Sequence, residues 1–128
     1  MLSATTKRVE KPLETGEYTA TFSSMRDGRT PADTILTFKD VNTGRAINAY
    51  VNNTRVIFQD DNGVDYTSED FLFLGLKKQL KMYGDNVSPL DVLHACAETP
   101  VTLWVVADEY VNVYSTKPKE FDSADLGL

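Results

Sequence analysis

Pro100-Val101-Thr102-Leu103-Trp104-Val105-Val106-Ala107-Asp108-Glu109-Tyr110-Val111-Asn112-Val113-Tyr114-Ser115-Thr116 is the stretch on which the reading of the fold turns. Two runs of β-branched and aromatic residues flank a polar break at Ala107-Asp108-Glu109, the pattern of two antiparallel strands joined by a tight loop. Side chains alternate across a strand. Val101, Leu103 and Val105 therefore share one face with Val111 and Val113 of the partner strand, while Thr102, Trp104, Val106, Tyr110, Asn112 and Tyr114 take the other. Burying the aliphatic faces together leaves the only tryptophan and two tyrosines outside the core. That outer face is either covered by a helix or is a surface for flat ligands.

The strands upstream follow the same logic. Tyr18, Ala20 and Phe22 alternate with Glu17, Thr19, Thr21 and Ser23, which predicts a strand with one wet face. Arg26-Asp27-Gly28-Arg29-Thr30-Pro31 reads as a loop, 34–39 as a second strand, and 45–51 as a third after the turn at Asp40-Val41-Asn42-Thr43-Gly44. Residues 55–59 read as a short strand or a continuation past a bulge. A helix follows, capped by Ser68, with Leu72, Leu76, Leu80 and Tyr83 as its apolar stripe and Gly84 as its stop. Ser88-Pro89-Leu90-Asp91 opens a second helix with Leu90, Leu93 and Ala97 turned inward. Strands on either side of a helical segment predict a mainly β, α+β domain over 16–116. A flexible arm at 1–15 precedes it and an acidic flexible tail at 117–128 follows.

The chain has 128 residues, 41% of them hydrophobic, with a net charge of −6. That length suits one domain with a real core. No run reaches the length of a membrane span and the start has no signal-peptide core, so the expected location is the cytoplasm, that of the host cell if the protein is viral. The acidity argues against a general DNA-coating surface, yet charge is segregated. Arg26, Arg29, Arg45 and Arg55 fall within thirty residues, whereas 56–76 carry five acids and no base. One face is therefore positioned to be locally positive.

Chemical centres are scarce. His94 and Cys96 stand two apart, on different faces of a helix, and no third His or Cys completes a zinc site. His94 reads as a partly buried helix residue. Asp60-Asp61-Asn62-Gly63 fails as a calcium loop because Phe58 would stand at the first ligand position. No phosphate-cradling loop and no nucleophile with an evident base is found. The expectation is a non-enzyme without metal or cofactor.

Five strands with a helical segment between the third and fourth is the arrangement of the five-stranded oligonucleotide-binding (OB) barrel. Over residues 16–128 the chain resembles the small single-stranded DNA-binding proteins of bacteriophages. The resemblance rests on the Gly16-Glu17-Tyr18-Thr19-Ala20 strand, the closing Leu103-Trp104-Val105-Val106 and Tyr110-Val111-Asn112-Val113-Tyr114 strands, and a short tail mixing acids with a terminal hydrophobe. It implies a protein that binds single-stranded DNA without sequence specificity in replication or recombination, as a homo-oligomer. Such binding needs aromatic faces for bases and cations for phosphates. Tyr50, Trp104, Tyr110 and Tyr114 are the candidate stackers. Arg26, Arg29, Arg45 and Arg55 are the candidate phosphate partners, with Lys77, Lys78 and Lys81 as further cations. In the tail, Phe121, Asp122, Asp125, Leu126 and Leu128 are the candidate surface for replication or recombination proteins. The rival expectation is a non-enzymatic β-barrel protein-interaction or virion structural module. A weaker third is an inhibitor that mimics DNA with the acids at 60–70.

Overall fold

Alternation builds the sheet much as the pattern predicts. In the computed structural model, which describes residues 13–117, β1 spans Gly16–Asp27, with Ala20 buried and Tyr18 and Phe22 half-buried toward the core. β2 (Asp33–Asp40) and β3 (Ala46–Asn52) continue as an antiparallel meander. A bulge between Phe22 and Ser24 shifts the β1 register and bends that strand. A small hairpin comes next, β4 (Val56–Gln59) and β5 (Asp65–Thr67). The helices α1 (Ser68–Leu80) and α2 (Pro89–Glu98) lead into β6 (Val101–Ala107) and β7 (Val111–Tyr114).

The main sheet has five antiparallel strands in the order β3-β2-β1-β6-β7. It curls so that β7 comes alongside β3. Among the described residues no ladder joins those two edges, so where a five-stranded OB barrel is expected the structure has a curled, open five-stranded antiparallel sheet. The helices lie between the third and fourth strands of this sheet, with the β4–β5 hairpin inserted ahead of them.

The core is the inner face of the curled sheet closed by both helices. Leu36, Phe38, Ile47, Ala49 and Val51 meet Val101, Leu103 and Val105 of β6, with Leu72, Phe73 and Leu76 of α1 and Val92, Leu93 and Cys96 of α2 over them. Phe22 sets its ring edge-to-face on Phe38 at 5.7 Å. The pairing of aliphatic faces in the last hairpin holds fully for β6 only. Val113 is half-buried and Val111 is exposed, because β7 stands at the sheet edge.

Helix boundaries differ from the sequence reading at named points. The cap of α1 is Thr67, not Ser68: Thr67 Oγ1 accepts from the Asp70 N–H and Asp70 accepts from the Thr67 N–H. Ser68 Oγ instead accepts from the Asn52 N–H and ties the helix start to the end of β3. Lys81 in the left-handed region ends α1, so Tyr83 falls outside the helix and is exposed. In α2 the capping box of Ser88 and Asp91 with Pro89 is as read. The buried face there is Val92, Leu93 and Cys96, whereas Leu90, His94 and Ala97 are exposed.

Two residues of α1 lock the helix to the strands. The Gln79 side chain accepts from the Thr102 N–H at 2.7 Å and donates to the Thr102 and Ser115 carbonyls at 2.8 and 2.9 Å. Gly75 lets Ser115, just beyond β7, approach the helix so closely that its hydroxyl donates to the Leu72 carbonyl at 2.6 Å. Of the expected arm at 1–15, residues 1–12 lie outside the described part. Its last residues are attached, Leu13 packing on the core and Thr15 exchanging hydrogen bonds with Ala107.

Burial pushes the Cys96 thiol up to about 11. Since the thiolate is the reactive form, Cys96 in the folded protein is expected to resist iodoacetamide at pH 8 and to alkylate within minutes once guanidinium unfolds the chain. Equal rates in the two states, followed by mass spectrometry, would show that the α2 core opens readily.

Three turn carboxylates give stability a defined acid limit. Asp60 is held below its ordinary pKa chiefly by the Val64 N–H, Asp91 by Ser88, and Asp33 by Asn52 and Thr30. Glu69 is shifted the other way, first by burial and then by the Asp70 charge. A depressed carboxylate contributes stability that is fully present above its unfolded pKa, near 4, and lost as pH falls through its lower folded value. The melting temperature should therefore stay level above about pH 5 and fall below about pH 4, less steeply in Asp60→Asn. A melting temperature that rises on acidification would show Glu69 to outweigh the other three.

Candidate nucleic-acid interface

β-Register gathers part of the predicted site on the sheet's outer face. Arg26 pairs with Ile35, and Ile35 with Tyr50, which makes one row across β1, β2 and β3. Adjacent strands lie about 4.8 Å apart, so Arg26 and Tyr50 have a backbone separation of about 10 Å. The next row is polar. Arg26 donates to Thr37 Oγ1 at 3.4 Å, and Thr37 donates to Asn48 Oδ1 at 2.7 Å. Tyr50 rises from this face with 65% of its surface exposed. A large aromatic standing clear of a β-sheet, with a guanidinium one row away, is the geometry that base stacking with phosphate pairing requires.

Two hollows flank Tyr50. The first, about 540 Å³, lies between it and the β1–β2 loop and is lined by Asp27, Gly28, Arg29, Asp33 and Asn52 among others. The second, about 480 Å³, follows the seam between β3 and β7, where Ile57, Phe71, Asn112 and Tyr114 join Tyr50 and Val51. Tyr50, Val51 and Ser68 line both, so Tyr50 stands between the two hollows, with Arg29 on the first and Tyr114 on the second.

The loop at the first hollow is stiff for chemical reasons. The Gly28 N–H donates to the Asp33 carbonyl at 2.9 Å, and a side chain at Gly28 would stand 2.7 Å from Asp33 Cβ. Asp33 accepts from Asn52 Nδ2 at 2.7 Å and from Thr30 Oγ1 at 2.8 Å. Asn52 Oδ1 in turn accepts from the Thr54 and Arg55 N–H groups, which brings Arg55 to the same end of the sheet as Arg29.

Other predicted residues are not brought in. Arg45 sits at the β2–β3 turn, the opposite end of β3 from Asn52. Six residues of strand make that about 20 Å from the Arg29 loop. Sequence proximity grouped it with the other arginines, and hairpin geometry separates it. Tyr110 is 75% exposed at the tip of the β6–β7 turn and is not among the residues lining either hollow. Trp104 pairs across strands with Glu17 and Tyr114 on the outer face, is half-buried, and keeps its indole N–H buried without a hydrogen-bond partner. It too is not among the residues lining either hollow, although its register partner Tyr114 is. Lys77 lines a separate hollow with Val64, Glu69 and Asp70. The tail candidates Phe121, Asp122, Asp125, Leu126 and Leu128 lie outside the described residues.

Ile57, Phe71, Asp33 and Asn52 were missed as groove residues. Three consecutive apolar residues, Val56, Ile57 and Phe58, all half exposed or more, are the signal that was available, because a buried strand face would alternate. Phe58, Tyr66 and Phe71 form a ring cluster with centroids 5.5–6.0 Å apart that braces the hairpin beside the groove. Among the described residues no group of three or more His, Cys, Asp or Glu could hold a metal, and no helix is long and apolar enough to cross a membrane. Comparison with protein-family models, with curated proteins and with solved structures finds no match to this chain.

Proposed function

We propose that this chain is an oligonucleotide-binding protein of the bacteriophage single-stranded DNA-binding type, coating single-stranded DNA in replication or recombination. The observation that carries the reading is the exposed Tyr50 ring between two hollows, one lined by Arg29 and the other by Tyr114, with Arg26 across the sheet from it. Strand order supports it. The OB barrel is a partly open five-stranded barrel that binds on its second and third strands and on the first and last hairpin loops. Here β2 and β3 bear the Tyr50 face, the β1–β2 loop bears Arg29, and the curled sheet has its open edges at β3 and β7. Stacking tolerates any base, which fits non-specific coating.

The mixed charge of the groove, Arg29 beside Asp27 and Asp33, favours stacking over phosphate contacts as the main source of affinity. Salt dependence should accordingly be shallow, a log–log slope of about −1.4 for two contacts at Arg26 and Arg29. The role proposed requires neither catalysis nor a cofactor and belongs in the cytoplasm, with self-association along the strand and recruitment of replication proteins through 117–128. Fluorescence anisotropy of a labelled dT oligonucleotide against the same length of duplex, at two salt concentrations, tests it. Saturable binding of the single strand alone supports the reading, and absence of a complex at low salt refutes it. A second reading, the interaction or virion structural module, is favoured by the exposed Val56, Ile57 and Phe58 of the β4–β5 hairpin. It takes over if no nucleic acid binds.

A further inference from the structure

An unspecific coating groove has no need of a fixed carboxylate, yet one stands beside Tyr50. Asp33 lines the first hollow, and its carboxylate is oriented by one hydrogen bond on each oxygen, from Asn52 and Thr30. A carboxylate has acceptor sites for about four donors, and acceptor capacity remains beyond the two side-chain donors and the Thr30 N–H that also faces it. Those hydrogen bonds, with the Arg29 charge nearby, keep Asp33 ionised at neutral pH. Arg29 lines the same hollow. By register Asp33 pairs with Asn52, two residues along β3 from Tyr50, which puts Asp33 at the diagonal position, about 7–8 Å away. A base stacked on the Tyr50 ring would present its edge to that carboxylate.

We propose that the hollow between Tyr50, Asp33 and Arg29 is a base pocket that prefers guanine within an otherwise tolerant groove. Guanine sets two donors side by side, N1–H and the N2 amine, which a carboxylate accepts together. On its next edge it offers O6 and N7, the acceptors an arginine fork takes. Adenine would turn its N1 lone pair toward the carboxylate, cytosine its N3, and thymine its carbonyls on either side of a single N–H. The pocket is built before binding, since Gly28, Thr30 and Asn52 hold the loop and the carboxylate in place. Asp33 is thus the specificity-determining residue, while Tyr50 supplies stacking common to all bases. The inference rests on the proposed DNA-binding function of this groove.

Competition anisotropy with dT strands carrying one central dG, dA, dC or deoxyinosine tests it. The dG strand should bind about tenfold tighter than the dA strand, with deoxyinosine, which lacks the N2 amine, between them. Replacing dG by 7-deazaguanine should weaken wild type and leave Arg29→Ala unchanged. Asp33→Asn should bring the affinity for the dG strand down to that for the dA strand. The modified bases leave the protein intact, so the result stands even where Asp33→Asn loosens the loop. Equal affinities for dG and dA strands overturn the guanine pocket and leave single-strand binding in force. No binding of any strand overturns both.

Discussion

Gly75→Ala is expected to lower the melting temperature by about 10 °C and stability by about 3 kcal/mol, the upper end of what overpacking a core costs. An added Cβ would meet the Ser115 hydroxyl head on, and would lie 2.7 Å from Ser115 Cβ and 2.8 Å from its carbonyl oxygen. Neither partner is free to move. Ser115 is buried, its hydroxyl donates to Leu72, and its carbonyl accepts from Gln79. Relief would have to come from sliding α1 off the strands, which breaks the three Gln79 hydrogen bonds. Placing the substitution on Ser115→Gly removes the side-chain part of the clash, so the two changes should be markedly non-additive. Thermal melts by circular dichroism measure this, and additive losses would mean that the contact is not shared. The same lock fixes Ser115 immediately after Tyr114, so loosening it should also weaken ligand binding in the seam.

Tyr50→Ala is expected to reduce single-strand affinity by about tenfold to a hundredfold, the loss of one stacked base. Its effect on stability should stay within about 1 kcal/mol, the span of strand propensities, because the ring is largely exposed and the β3 core face is Ile47, Ala49 and Val51. Tyr50→Phe keeps the stacking face and should retain most of the affinity. Arg45→Ala is the matched control. It removes a cation of the same sequence cluster from the far end of β3, and should change affinity by less than about threefold. Equal losses at Arg45 and Tyr50, read by anisotropy titration, would move the binding surface off the groove.

Much of the sheet was readable because burial is periodic there. Tyr18, Ala20 and Phe22, and then Val101, Leu103 and Val105, each mark a core face by alternation alone, and Ser88-Pro89-Leu90-Asp91 marks a helix start through its capping chemistry. What escaped turned on local pairing and capping choices that residue type alone leaves open. Asp65-Tyr66-Thr67 is too short to announce a strand and becomes one by pairing with β4. Thr67 and Ser68 are equally good caps in isolation. The acid three residues on from Thr67, Asp70, decides between them, whereas Phe71 follows Ser68 at that spacing. Lys81 ends α1 in a conformation that sequence would assign to Gly84.

The site divides the same way. Tyr50 and the arginines of the first loop could be named from residue type, since exposed stacking and phosphate pairing need those side chains. Grouping them needed register: Arg26, Ile35 and Tyr50 share a row only because β1, β2 and β3 pair as they do. Register also explains the loss of Arg45 to the opposite turn. Trp104, the most obvious stacker by type, pairs between Glu17 and Tyr114 with its indole N–H buried, and lines neither hollow.

The measurement that reaches the central claim most directly is ultraviolet crosslinking of the full chain to a bromodeoxyuridine oligonucleotide, with the attached peptide identified by mass spectrometry. Attachment is predicted at Tyr50, with Tyr114 as the second site along the groove. Crosslinks confined to Phe58 and Tyr66 of the β4–β5 hairpin, or no crosslink under conditions where a known single-strand-binding protein does crosslink, would contradict it.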